Sequence, residues 1–75
     1  MDKVYVITAN DLYLNHYDNL ESAKEYANTI NEAEFLDKFS SIYVDELTEE
    51  EFSSYQMSGL DNDYLSLLSK NVYEI

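Results

Sequence analysis

The stretch Leu47-Thr48-Glu49-Glu50-Glu51-Phe52 leaves this chain the least freedom. Thr48 as N-cap places Glu51 at the third helical position, where the two residues can exchange side-chain-to-backbone hydrogen bonds as a capping box. Leu47 just before the cap and Phe52 at the fourth helical position can then close as a hydrophobic staple. Upstream, Ile42 to Leu47 alternates, with Ile42 and Val44 facing one way and Tyr43 and Asp45 the other, as in a strand with one deeply buried face. A strand must therefore run directly into a helix. Carboxylates in that first turn favour the helix dipole by ~0.3–1 kcal/mol each. One Glu satisfies the box, however, and Asp45 and Glu46 precede the triplet, so helix initiation and an acidic binding surface both stay open as explanations.

Around this junction the rest of the chain is legible in outline. Lys3 to Thr8 and Leu12 to Tyr17 are β-branched and aromatic runs separated by Ala9-Asn10-Asp11, which predicts a β-hairpin. A three-residue loop would put Val4, Val6, Leu12 and Leu14 on one face and Tyr5, Ile7, Tyr13 and Tyr17 on the other; a two-residue loop would mix the sets. His16, the single histidine, has no nucleophile or orienting group placed by the sequence and is expected at a strand end. Leu20, Ala23, Ala27 and Ile30 recur at helical spacing, with Asp18 or Asn19 as cap and Asp18-x-x-Glu21 as a candidate capping box. Phe35, Leu36 and Phe39 lie in the connection that follows, where they form either a turn over the core edge or an exposed aromatic patch.

Beyond the acidic stretch, the single glycine, Gly59, stops the second helix as a Schellman motif with Leu60 contacting Tyr55. Asp61 caps a third helix whose inner face is Tyr64, Leu65 and Leu68, with Leu60 stapled to Leu65. Asp61-Asn62-Asp63 resembles the start of a calcium loop, but Leu65 and Ser66 occupy the positions where a ligand and a glycine are needed. Val72 to Ile75 alternates and either adds an edge strand or frays. The order is ββαβαα with an optional final strand: one small α+β domain over residues 1–75, an antiparallel sheet with helices packed on it.

Composition decides which functions such a domain can have. Sixteen Asp and Glu against four Lys and no Arg give a net charge of −12, so twelve carboxylates stay unpaired even if every Lys finds a partner. Eight Tyr and three Phe are too many for a disordered acidic tail. Direct binding to nucleic acid or to an anionic membrane needs a basic patch that four scattered Lys do not form. There is no apolar run long enough to span a bilayer, and a cytoplasmic protein is expected. No Cys, phosphate-cradling Gly loop or metal-ligand cluster occurs, so neither an enzyme nor a cofactor is expected. A partner chosen by charge is basic. The residues expected to meet it are Tyr43, Asp45, Glu46, Glu49, Glu50, Tyr55, Asp61 and Asp63, carboxylates with tyrosines that offer rigid amphipathic contact area.

A short, Cys-free, strongly acidic chain with Asp45-Glu46 and Glu49-Glu50-Glu51 on a mixed α/β frame resembles phage-encoded inhibitors of bacterial defence, among them anti-CRISPR proteins and DNA mimics. The resemblance covers whole-chain character, carries no shared motif, and implies occlusion of the DNA-binding site of a restriction enzyme or an RNA-guided nuclease. The alternative is a non-enzymatic adaptor or homodimeric module that uses the Tyr5, Ile7, Tyr13, Tyr17 face.

Overall fold

The computed structural model describes residues 3–32 and 41–75. Strands β1 (Lys3–Ala9) and β2 (Leu12–Tyr17) form the hairpin, followed by helix α1 (Leu20–Glu32), strand β3 (Ile42–Thr48), helices α2 (Glu49–Met57) and α3 (Asn62–Leu68), and strand β4 (Lys70–Glu74). The strands make one antiparallel sheet in the order β2-β1-β3-β4. The α+β architecture is as expected, and of the two readings of the C-terminal stretch the edge strand is the one formed. The turn or patch expected at Phe35, Leu36 and Phe39 lies outside the described residues.

The hairpin loop is tighter than three residues. Asn10 and Asp11 both adopt left-handed backbone, with φ of 52° and 65°, and Ala9 pairs directly with Leu12. Two left-handed residues are the signature of the two-residue type I′ turn, whose twist matches that of the strands. This changes the faces. Tyr13 now lies opposite Thr8, on the side of Val4 and Val6, while Leu14 and Tyr17 pack with Ile7. The expected face of Tyr5, Ile7, Tyr13 and Tyr17 therefore does not exist as one surface.

Both faces of the sheet are buried, not one. On the first, α1 sets Ala23, Ala27 and Ile30 against Ile7, Ala9, Ile42 and Val44. On the second, Phe52 and Tyr55 of α2 and Leu65 of α3 cover Val4, Val6 and Leu47. Fully burying a Leu, Ile or Phe side chain is worth ~1.5–3 kcal/mol, so among the described residues these two small clusters are the main source of stability.

Each edge strand also carries one extra residue. The β1–β2 register shifts at Ile7/Thr8, leaving Leu14 unmatched, and the β3–β4 register shifts at Val44/Asp45, leaving Val72 unmatched. Both extra residues turn toward the α1 cluster. Such bulges bend an edge strand and make it a poorer template for pairing with another chain.

The helix boundaries follow local chemistry. At α1 the cap is Asn19, whose Oδ1 accepts from the Ser22 amide at 2.8 Å; Asp18 and Glu21 do not form the box, and Asp18 Oδ1 instead accepts from the Asn19 side chain. At α2 both halves of the capping box are present, with Glu51 N–H donating to Thr48 Oγ1 at 3.1 Å and Thr48 N–H donating to Glu51 Oε1 at 2.9 Å. Leu47 and Phe52 share one core cluster, as the staple requires. The helix stops through the two bonds of a Schellman motif, Gly59 N–H to Gln56 O and Leu60 N–H to Tyr55 O. Leu60 does not act as a shared staple: it is itself left-handed, with φ of 60°, and its side chain is exposed. Its backbone, not its side chain, makes the corner between α2 and α3.

Candidate functional site

Strand alternation divides the acidic stretch. Asp45 lies opposite Val6 and points to the α2/α3 side, while Glu46 lies opposite Tyr5 and points to the α1 side. Glu46 accepts a hydrogen bond from the Tyr5 hydroxyl at 3.1 Å and pairs with Lys3 at 3.8 Å. It is engaged within the fold and does not join Asp45. Glu49 and Glu50 are exposed at the start of α2, where Glu49 lines a hollow of about 390 Å³ with Val4, His16, Tyr17, Asp18, Phe52 and Ser53. Tyr55, expected at the surface, is fully buried, because it falls three residues after Phe52 on the helix face that covers Val4 and Val6. Burial, reinforced by the nearby Tyr13, Asp45 and Asp61, pushes its phenol up to about 12.

What the fold does assemble is a groove of about 330 Å³ on the α2/α3 side, lined by Thr8, Asp11, Tyr43, Asp45, Asn62, Ser66, Asn71 and Glu74. Five pieces of the chain contribute: β1, the hairpin turn, β3, α3 and β4. Tyr43 and Asp45 form its floor with Thr8, since Thr8 and Tyr43 are paired across β1 and β3. Asp45 is held from two sides, with Asn71 Nδ2 donating to Oδ1 at 3.0 Å and Ser69 Oγ donating to Oδ2 at 3.3 Å. Asn71 Nδ2 also lies 3.3 Å from Val44 O and 3.2 Å from Tyr73 O, which pins the edge strand to its neighbour beside the carboxylate. Asp11 and Glu74 add two exposed carboxylates, and among the described residues the lining contains no cation.

Asp61 and Asp63 stand at the α3 N-terminus next to Asn62. Asp61 is the N-cap and accepts from the Asp63 amide at 3.0 Å. Of the residues expected to meet a partner, Tyr43 and Asp45 thus share the groove, with Asp61 and Asp63 on the helix that walls it; Glu46, Glu49, Glu50 and Tyr55 lie elsewhere. Thr8, Asp11, Asn62, Ser66, Asn71 and Glu74 were not legible as site residues. Thr8 alone carried a signal, as the one hydroxyl in the Val4, Val6, Thr8 row.

Two of the described lysines are engaged away from the groove, and the third, Lys70, is exposed at the start of β4. Lys3 bridges to Glu46, and Lys24 sits over the Tyr73 ring at 5.1 Å from its centre. His16 caps the hollow beside α2, with its ring 4.5 Å from that of Phe52 and Nδ1 2.6 Å from the Tyr13 hydroxyl. Among the described residues no group of three or more His, Cys, Asp or Glu is placed to hold a metal ion, and no helix is long and apolar enough to cross a membrane. Neither a protein-family model, nor a curated protein, nor a solved structure matches this chain.

Proposed function

We propose that the protein is an acidic, non-enzymatic inhibitor that binds a basic nucleic-acid-processing enzyme in the bacterial cytoplasm and occludes its DNA-binding site, as an anti-CRISPR protein or DNA mimic does. The observation that carries this reading is how the charge is deployed. Asp11, Asp18, Glu21, Glu25, Glu49, Glu50, Asp61, Asp63 and Glu74 are all exposed, while of the described lysines Lys3 and Lys24 are engaged by the chain's own side chains and only Lys70 stands exposed without such a contact. A duplex presents one negative charge per ~1.7 Å of its axis, and a protein built to hold it answers with Lys and Arg. A rigid domain with net charge −12 offers carboxylates to the same groove without phosphate.

The rigid frame favours occlusion over a flexible acidic tail, since little conformational entropy is lost on binding a preformed surface. The adaptor alternative loses its surface, because Tyr5 and Tyr17 pack beside α1 while Tyr13 lies on the other side of the sheet.

The test is capture on the immobilised protein from a bacterial lysate containing CRISPR and restriction enzymes, eluted by a salt gradient. Recovery of a DNA-binding enzyme that leaves early in the gradient, and that duplex DNA displaces, is expected. Recovery of no nucleic-acid enzyme, or of one that DNA does not displace, would sink the proposal.

A further inference from the structure

The groove between β3, β4 and α3 is more specific than a negative surface, and we infer that it is a receptor for a single arginine side chain of the partner. This rests on reading the chain as a ligand for a basic protein and names the part of that protein the groove takes.

The floor supplies the first observation. Thr8 is only 3% exposed, yet among the described residues its hydroxyl has no hydrogen-bond partner, and no buried side-chain oxygen or nitrogen is left unsatisfied. The small part of Thr8 that reaches solvent therefore includes the hydroxyl, which opens into the groove it lines. An open hydroxyl at the bottom of a cleft invites a donor from outside, because burying it unpaired would cost ~1–3 kcal/mol.

The walls decide which donor. Asp45 is fixed by Ser69 and Asn71, so it meets a ligand already oriented, and each of its oxygens retains accepting capacity. Asp11 and Glu74 add negative charge, and Tyr43 adds an aromatic ring. Asp11, Asp45 and Glu74 line the cleft from the hairpin turn, β3 and β4, and among the described residues they belong to no group of three or more placed to hold a metal ion. A guanidinium spreads five donors over a plane, makes charge-assisted bonds to carboxylates and stacks on an aromatic face. The cleft suits that planar, multidentate group better than an ammonium.

The experiment uses the isolated protein and three small probes: N-acetyl-arginine methylamide, its lysine counterpart and its neutral citrulline counterpart. Backbone and Asn side-chain amide resonances are followed during titration. Saturable shifts confined to Thr8, Tyr43, Asn62 and Asn71 are expected with the arginine probe, weaker ones with lysine and none with citrulline. Asp45→Asn should weaken arginine binding about tenfold, the scale of one lost charge-assisted hydrogen bond. Thr8→Val, which keeps the β-branched shape, should weaken it about threefold. Where Asp45→Asn fails to fold, exposed Glu74→Gln provides the same comparison.

Shifts that do not saturate, that citrulline or lysine reproduces equally, or that survive both Asp45→Asn and Thr8→Val would overturn the assignment. Arginine binding with no basic enzyme captured would remove the proposed function and leave the groove standing. Capture of such an enzyme with a groove silent to arginine would do the reverse.

Discussion

The two faces of the sheet are closed by different means, and the difference explains where a site can exist. On the α1 side, Ala9, Ala23 and Ala27 are fully buried, so the helix lies close on the strands and the face is sealed. On the other side, two short helices share the work. Phe52, Tyr55 and Leu65 cover the half of the sheet around Val4, Val6 and Leu47, while the half around Thr8, Tyr43 and Asp45 meets Asn62 and Ser66 of α3. A helix that turns polar residues toward a sheet cannot seal it. Among the described residues, the groove is the part of the sheet left without an apolar lid.

Large and opposite substitutions break this comparison most strongly. Leu65→Ala removes a side chain that is 1% exposed and the one fully buried anchor of α3. Such truncations cost ~2–5 kcal/mol, against a net stability of ~3–5 kcal/mol for an unstapled domain of this size. Unfolding at room temperature, seen as loss of cooperative thermal melting by circular dichroism, is the expected result. On the sealed face the sensitive change is the reverse one: Ala27→Leu overpacks the α1 contact and should cost ~1–3 kcal/mol. If Ala27→Leu proved neutral, α1 would not lie as close to the sheet as its buried alanines require.

A further effect depends on pH. Tyr55 is raised from 10.0 to about 12, with burial as the first cause. The unfolded chain loses its Tyr55 proton near pH 10 while the folded chain keeps it to about 12. Between those values the unfolded state binds fewer protons, so stability falls as pH rises. It is fully present below pH 10 and is lost through pH 12, a loss of about 2–3 kcal/mol. Tyr5 and Tyr13 are shifted upward as well and act in the same direction. Urea denaturation from pH 9 to 12 should show the decline, and Tyr55→Phe should flatten it without abolishing it. An unchanged slope in Tyr55→Phe would mean that the phenol is solvated in the folded state.

The order in which these features could be read from sequence follows the range of the interactions that make them. The capping box at Thr48 and Glu51, the Schellman stop at Gly59 and the alanine stripe of α1 are set within a few residues and are legible. The hairpin register turned on whether Asn10-Asp11 closes alone, a choice between loops of similar chemistry, and one residue of difference moved Tyr13 to the other face. Asn19 displaced Asp18 as cap for a similar reason, since both residue types serve equally well there. The groove was not legible because Asp45 meets Asn71, and comes to share a cleft with Glu74 and Asn62, only after β4 and α3 have docked. Sequence proximity instead joined Asp45 to Glu46, which strand alternation places on opposite faces.

The smallest effects separate the carboxylate that makes the capping box from its two neighbours in the same turn. Thr48→Ala breaks the box and should cost ~1 kcal/mol, read as a lower urea midpoint with unchanged slope. Changing Glu49 and Glu50 together to Gln spares the box, because Glu51 and Thr48 make both of its bonds. That double change weakens two favourable dipole contacts of ~0.3–1 kcal/mol each, but it also removes two charges from a molecule at −12. The two effects oppose, so the net change should stay within ~0.5 kcal/mol. Salt distinguishes them. Added NaCl screens exposed charges over ~8 Å at physiological strength, so the parent's melting temperature should rise with salt as repulsion is relieved. The rise should be smaller in the Glu49/Glu50 variant, which has less repulsion to screen. A flat or falling dependence in the parent would mean that the carboxylates are too widely spaced to repel, and with that the focused field needed to compete with DNA would be lost.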